Sequence, residues 1–572
     1  MNLNIHVKKN LIFGLYIILN ISLVFTLFFV QYGYLIVAIF LFASHVRDFF
    51  SIMYQIFSLD TIIPEKAEID KEQKINVCAL IPTYAEDYRL VKKNIDSLCE
   101  QKLSKGTNLI IMVVCDGLKI KAPNDKSLFD CLDKEFEFEK NEVYEKEYKH
   151  WKTGEKVSLY FKTGTYKNKT IILAYKPINL GKKDSLIIGE KIIERLSNKV
   201  NFIYHTDSDT VAHPECLDQL LRSLVANPKL DGVSGLVRAY YGEEDHMDQN
   251  WFGRLYQKSW YCMQDFQYFF SLIARRQTES KINTTVCLPG CVNMIRLNEK
   301  SKAAIKKYAR LPLKETNFLQ TVTRMQGTDR RYTTLLLKEG ALLQMNWRAW
   351  VYTEPPLSIN AFINQRRRWS SNAFFNSIVV MYTSHLPIYT KLSAFIDITR
   401  LFSTVFRLFS YFTFWIFMRE FTPLVITLFV IFLAFPYVYV GIWIACVIPK
   451  KEKLTMFIGF IINKLYQPIL SCITISKMFY TSTNFAWSQM KETKPHKEES
   501  KTDSKNSNID LPDLENQLYN DEIEVEEVEI NKVEILVVEE SEEEKYEPSN
   551  ITEYEVTLEE IPDPEIPDLE IR

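Results

Sequence analysis

Val77-Cys78-Ala79-Leu80-Ile81-Pro82-Thr83-Tyr84 sets the architecture of this chain. Five uninterrupted apolar residues read as a strand buried on both faces, as in a parallel sheet covered by helices. Pro82 and Thr83 close it, and Leu90, Val91, Ile95 and Leu98 follow at helical spacing. The next apolar run, 109–114, ends in Cys115-Asp116-Gly117, and short runs keep alternating with helical stretches over 75–352. This alternation predicts an α/β sheet, whose ligands bind beyond the carboxyl ends of the strands. Asp116 therefore stands where a nucleoside could be gripped, although a carboxylate before glycine also makes an ordinary turn.

Phe202-Ile-Tyr-His-Thr-Asp207-Ser208-Asp209-Thr210 is a strand running straight into two carboxylates one residue apart. Such a pair can share one hard divalent cation and, through it, a diphosphate; Asp-x-Asp alone is common. Asn179-Leu-Gly181-Lys182-Lys183 opens a helix with two lysines, either a phosphate contact or a surface cap. Cys287-Leu-Pro-Gly290-Cys291 reads as a rigid turn that could hold an acceptor sugar at the sheet edge. Gly327-Thr328-Asp329-Arg330 starts another helix. A carboxylate there often serves only as an N-cap, but Asp329 is also the acidic group left unassigned between the Asp207–Asp209 pair and the arginine segment. In Gln365-Arg366-Arg367-Arg368-Trp369 three guanidinium groups suit a polyanion and the indole offers a face to a sugar ring. The other reading of that segment is a juxtamembrane stretch facing anionic lipid. Residues 119–170 read as a polar elaboration with a surface helix over 134–149, and the aromatic stretch 251–270 as core.

The 572 residues are 47% hydrophobic and 13% aromatic, high for a soluble protein, with the apolar runs gathered at both ends. Run 11–30, preceded by Lys8 and Lys9, and run 34–44, continuing more weakly into Phe49-Phe50 with Arg47 and Asp48 interrupting, predict a membrane hairpin within 1–52 with both flanks cytoplasmic. Beyond the basic segment, 374–382 and 396–408 read as interfacial helices in 356–400 and onward. Spans are expected over 409–417, 422–448 and 454–479, within 401–482. Were Pro436 to split the second into a tight pair, four spans would leave Trp487 and the tail in the cytosol, the arrangement expected; an unbroken helix would give three. The net charge of −2 hides two blocks, because 28 acidic and 8 basic residues make 491–572 carry −20 and leave +18 elsewhere. A basic body suits phosphates and lipid headgroups, and an acidic tail reads as solvated and disordered. The ten cysteines include no Cys-x-x-Cys, so no disulfide framework or zinc site is expected, and reduced thiols fit a cytosolic domain.

Taken in order, Pro82-Thr-Tyr-Ala-Glu86, Asp116-Gly117, Asp207-Ser-Asp209, Cys287-Leu-Pro-Gly-Cys291, Gly327-Thr-Asp329-Arg330 and Gln365-Arg-Arg-Arg-Trp369 resemble the processive family 2 glycosyltransferases. The likeness is greatest to chitin synthases, carried by the full Gln365–Trp369 segment and by Gln264-Asp-Phe-Gln-Tyr268 ahead of Leu-Pro-Gly-Cys, whereas Asp-Ser-Asp-Thr is nearer hyaluronan synthases. It covers roughly residues 75–369 and, more loosely, the membrane region.

This resemblance implies an α/β GT-A (Rossmann-like) cytosolic glycosyltransferase domain over 70–355, embedded in an α-helical, multi-pass transmembrane protein of the plasma membrane. The implied reaction polymerises N-acetylglucosamine from UDP-GlcNAc into β-1,4-linked chitin with inversion, using Mg2+ or Mn2+. The growing polysaccharide and membrane lipids are the implied partners; no nucleic acid is expected, and a homo-oligomer is allowed. By the same resemblance Thr83, Tyr84, Glu86 and Asp116 surround the uridine, Lys182 approaches the donor, and Asp207 and Asp209 hold the diphosphate and its metal. Asp329 is then the general base, Arg368 meets the pyrophosphate, and Gln365, Trp369 and Cys291 form the acceptor end, Trp369 stacking the terminal sugar. The C-terminal helices would form a channel for the product, followed by a Trp487 loop and tail over 483–572. Two departures stand out: Thr328 replaces an acidic residue found in many chitin synthases, and Trp487-Ser-Gln489 lacks the glycine of their Trp-Gly-Thr loop. Two other readings are a hyaluronan synthase using UDP-GlcNAc and UDP-glucuronate, and a non-catalytic membrane scaffold whose tail recruits partners.

Overall fold

A computed structural model of the chain describes residues 5–30, 33–62, 74–84, 86–117, 128–136, 144–152, 154–196, 200–240, 250–309, 318–325, 327–409 and 422–482. The strands are β1 (Ile75–Thr83), β2 (Thr107–Asp116), β3 (Tyr144–Lys149), β4 (Lys156–Tyr166), β5 (Lys169–Lys176), β6 (Phe202–His205), β7 (Thr210–Ala212), β8 (Gly232–Ala239), β9 (Asn293–Arg296) and β10 (Leu343–Thr353). They form one mixed sheet in the order β3-β4-β5-β2-β1-β6-β9-β8-β10-β7.

The centre of that sheet, β5-β2-β1-β6, is parallel. Residues 77–83 of β1 are all buried, which is why the run carries no polar alternation. The helices Tyr88–Cys99 and Lys182–Arg195 cover it, the first through Val91, Ile95 and Leu98, the second through Ile188 and Ile193. Register brings Thr83 beside Cys115, Asp116 beside Lys176 and Leu80 beside His205. The carboxyl ends of four adjacent strands thus meet at one edge. Antiparallel β9 adds its amino end there, with Asn293 opposite His205.

Several expectations are corrected. Residues 134–149 do not form a surface helix: a helix spans Leu128–Glu135, and Tyr144–Lys149 is a strand paired antiparallel with β4. The local sequence Tyr-Glu-Lys-Glu-Tyr-Lys favours no packed helix face, and its period-two alternation suits a charged edge strand. The second apolar run continues past Arg47 and Asp48 into 49–50, as expected, and then further: one helix spans Gly33–Ile62. Arg47 and Asp48 are 8% and 4% exposed and are neutralised inside the protein, Arg47 Nη1 lying 2.8 Å from Asp397 Oδ1 and Arg275 Nη2 2.8 Å from Asp48 Oδ2. Paired charges interrupt the hydropathy without interrupting the helix. Likewise Pro436 lies inside a single helix, Pro423–Val447, so the tight pair is not formed. A proline removes one backbone bond, which an apolar helix packed on neighbours tolerates.

Among the described residues two helices are long and apolar enough to cross a membrane, Val7–Leu27 and Lys453–Tyr480. Residues 374–381 belong to a helix spanning Ile359–Met381, with Tyr382 as its C-cap, and a second helix spans Ile388–Phe402. Residues 410–417 of the expected 409–417 span, Trp487 and the acidic tail lie outside the described residues.

Candidate active site

β1, β2, β5 and β6 end at the same edge, and each delivers a polar side chain as it ends. Asp116, at the end of β2, accepts from the Leu180 amide at 2.8 Å and the Gly181 amide at 2.7 Å, and lies 3.1 Å from Lys176 Nζ. It is 3% exposed and its oxygens are occupied by the protein. Its work in this structure is to hold the 179–181 turn from which Lys182 projects. Lys176, wholly buried at the end of β5, also lies 2.9 Å from Asp184 Oδ2, and the Tyr148 hydroxyl from β3 donates to that same oxygen at 2.5 Å. The strand hairpin within 119–170 therefore braces the amino end of the Lys182–Arg195 helix. Thr83 caps β1 by donating to the Val114 carbonyl at 3.3 Å. The Tyr84 amide donates to Glu86 Oε2, and the Tyr84 hydroxyl hydrogen-bonds the Asn179 side chain within the field of Asp116. Burial pushes the Glu86 carboxyl up to about 7, against the pull of hydrogen bonds from Tyr84 and Ser208.

Asp207 and Asp209 follow β6 in a turn closed by the Thr210 amide on the Asp207 carbonyl at 3.2 Å. Asn94 ties the same carbonyl to the Tyr88–Cys99 helix. Lys182 Nζ pairs with Asp207 Oδ1. Burial disfavours the lysine charge, but Asp207 and Asp329 outweigh it and hold its pKa up. At Asp209 desolvation first, then the Asp207 charge, push the carboxyl up to about 7, against the pull of Lys182. Among the described residues no three His, Cys, Asp or Glu side chains converge on a point. Two hard carboxylates whose charges repel one another, both only partly buried, fit a magnesium or manganese ion completed by substrate phosphates.

Asp329 begins the Asp329–Lys338 helix and accepts from the Thr328 hydroxyl at 2.5 Å. Thr328 thus orients the carboxylate directly. The Leu288-Pro-Gly290 turn is locked on this helix, the Leu288 amide donating to Thr333 Oγ1 at 3.0 Å. Next to it, Cys291 feels the charges of Asp207, Asp329, Asp209 and Lys182, which marks where they converge; burial pushes its thiol well up. Beneath them His205 presents Nδ1 to Asn293 Oδ1 at 2.9 Å and Nε2 to Glu190 Oε1 at 3.0 Å. The Asn293 amide is oriented by donating to the Pro289 carbonyl at 2.7 Å, so both ring nitrogens face acceptors. Burial opposes a charged imidazole, but Glu190 and Asn293 outweigh it and raise its pKa.

The three arginines do not act as one clamp. A helix turns about 100° per residue, and this segment lies inside the Ile359–Met381 helix. Arg366 stacks on Trp369 at 4.4 Å, Phe362 at 4.9 Å and Tyr268 at 5.1 Å. Arg367 donates to Thr481 Oγ1 at 3.1 Å. Only Arg368 faces the carboxylates: burial lowers its pKa to about 10, still charged, while Asp329 and Asp207 work to raise it. Trp369 remains 45% exposed, and Gln365 hydrogen-bonds the Tyr268 hydroxyl. One edge therefore gathers Thr83, Tyr84, Glu86, Lys182, Asp207, Asp209, Cys291, Asp329 and Arg368, with Gln365 and Trp369 on the same helix as Arg368. Sequence reading missed Lys176, Asp184 and Tyr148 because it did not assign β3 and β5. It also missed His205 and Asn293, whose register on β6 and β9 was the available signal.

Residues 187–523 match the family model described as chitin synthase. Similar relatives include chitin synthase 8 of Gibberella zeae, 24% identical over 72% of this chain and 66% of that protein, and chitin synthase csmA of Emericella nidulans, 23% identical over 53% of this chain and 18% of that protein. Among solved structures, the mannosyltransferase PcManGT from Pyrobaculum calidifontis, in complex with GDP-Man and Mn2+, aligns over 75% of this chain and 97% of its own at 13% identity and a TM-score of 0.41.

Proposed function

The chain belongs to the chitin synthase family, and we propose that it is an inverting GT-A glycosyltransferase that polymerises N-acetylglucosamine from UDP-GlcNAc in β-1,4 linkage. The observation that carries this reading is the convergence of Asp207, Asp209, Lys182, Asp329 and Arg368 at the strand ends of a sheet.

Inversion requires the acceptor hydroxyl to lose its proton as UDP departs from the opposite face. Asp329 receives that proton; one positioned base contributes about 10²- to 10⁴-fold. Lys182 and Arg368 place two positive charges beside the carboxylates, where the leaving diphosphate gathers negative charge. A divalent cation held by Asp207 and Asp209 would add Lewis-acid stabilisation of the diphosphate. Thr83, Tyr84 and Glu86 bind the uridine, and Asp116 contributes by fixing the turn that carries Lys182. Trp369 offers its exposed face to the terminal sugar of the acceptor, with Gln365 and Cys291 beside it.

The helices Ile5–Phe29, Gly33–Ile62, Pro423–Val447 and Lys453–Tyr480 anchor the enzyme as a multi-pass membrane protein and carry the polymer across, with the catalytic sheet in the cytosol.

Radiolabelled UDP-GlcNAc supplied alone with Mn2+ or Mg2+ tests the reading. It expects chitinase-sensitive polymer. Product that forms only when UDP-glucuronate is added would make the enzyme a hyaluronan synthase, and the absence of both polymer and UDP release under either donor would leave a scaffold.

A further inference from the structure

Asp329 helps line a small, partly open cavity of about 20 Å³, with Lys182, Glu190, His205, Tyr308 and Tyr332 among its other walls. It has room for one water molecule. Tyr308 ends the Glu299–Tyr308 helix and is 3% exposed. Its ring is fixed by Tyr332, with centroids 5.6 Å apart, and by Lys183 Nζ 4.4 Å from its centre. Its hydroxyl, however, has no hydrogen-bond partner among the described residues. A buried hydroxyl without a partner is costly, and a rigid tyrosine at the rim of a water-sized space is the place to expect a bridging water. The charge that acts most strongly on this hydroxyl is that of Asp329, ahead of Glu190.

We propose that a single ordered water fills this cavity, accepts from the Tyr308 hydroxyl and donates to the Asp329 carboxylate, making Tyr308 a positioning residue for the base. The proposal rests on Asp329 being that base. The second hydrogen of the water points to Glu190, whose two oxygens already accept from His205 at 3.0 Å and Tyr332 at 2.7 Å and can each accept once more. Asp329 is then fixed on three sides: by the Thr328 hydroxyl, by the wall of Gly290, and by the water. With these constraints the carboxylate is aimed before the acceptor arrives.

Tyr308→Phe keeps the ring and removes only the hydroxyl. In the full-length membrane-embedded protein, kcat for polymer formation should fall by about three- to ten-fold, the size expected when the hydrogen bond that anchors a neutral bridging water is lost. The KM for UDP-GlcNAc and the melting temperature should not fall with it. An unchanged kcat overturns the proposal, and so does a loss of activity matched by a loss of thermal stability, which would make Tyr308 a packing residue. Asp329→Asn is assayed alongside: if that variant keeps its activity, the assignment of the base has failed, whereas an inactive Asp329→Asn beside a fully active Tyr308→Phe defeats the water bridge alone.

Discussion

Gly290 and Asp329 are packed so closely that a β-carbon on the glycine would stand 2.5 Å from Asp329 Oδ1. The Leu-Pro-Gly turn is therefore the wall against which the carboxylate rests. Gly290→Ala should push the base off its line to the acceptor while leaving UDP bound. A displacement of about 1 Å costs on the order of 10²-fold, so kcat should drop by about that factor with UDP affinity by calorimetry unchanged. Retained kcat would show that the turn does not set the base.

Gly327 meets Asn372 in the same way from the other side. Its φ is +75°, and a β-carbon there would come within 2.1 Å of the Asn372 side chain, on the helix that carries Arg368. Gly327→Ala combines backbone strain with a clash and should destabilise by about 1–3 kcal/mol. Asn372→Ala in the same chain relieves the clash and not the strain, so a double-mutant cycle should recover only part of the loss. Strict additivity would mean that the two elements do not press on one another.

The spread of the arginines around their helix gives a contrast between neighbours. Arg368→Ala should cut transfer by about 10²-fold or more, as loss of a preorganised charge at a leaving group does. Arg367→Ala, which removes a bond to Thr481, should cost less than about ten-fold. Kinetics of the two variants side by side decide it, and equal losses would return the three arginines to a single clamp.

Lys176 offers a stability test away from the chemistry. It is fully buried between Asp116 and Asp184, and Lys176→Met leaves two buried carboxylates without their cation. Removing one partner of a buried pair costs about 3–5 kcal/mol, so thermal unfolding of the catalytic domain should shift strongly. The KM for UDP-GlcNAc should rise with it, because the Lys182 turn hangs on Asp116. A neutral effect on both would remove the brace.

The central strands were legible because β1 and β2 are continuous apolar runs, and burial on both faces leaves no other pattern to confuse with them. The Asp207-Ser-Asp209 turn was legible for a related reason: carboxylates directly after a buried strand can only lie at the sheet edge. Tyr144–Lys149 was not, since its residues are mostly charged and only pairing with β4 makes them a strand. Pro436 misled in a similar manner, and Arg47 read as an interruption of its run. Their cost to a helix is set by partners 350 residues away in the case of Asp397, or by helix packing, and neither is local information. Asp116 was placed correctly at a strand end, but its ligands proved to be amides 64 and 65 residues downstream, which only the fold brings near.

Metal dependence follows from the pair of carboxylates. Chelation should abolish polymer synthesis, with Mn2+ or Mg2+ restoring it, and Asp209→Asn should raise the Mn2+ concentration needed for half-maximal rate. Undiminished synthesis in excess chelator would exclude the assignment.

The role of Asp329 is tested most directly by measuring, on the same preparation, UDP binding and polymer formation from UDP-GlcNAc by the wild type and by Asp329→Asn. The account predicts equal UDP affinity and a loss of at least about 10²-fold in polymer formation for the variant, the least that removing a general base should cost. Polymer formation at the wild-type rate with Asn at this position would contradict it.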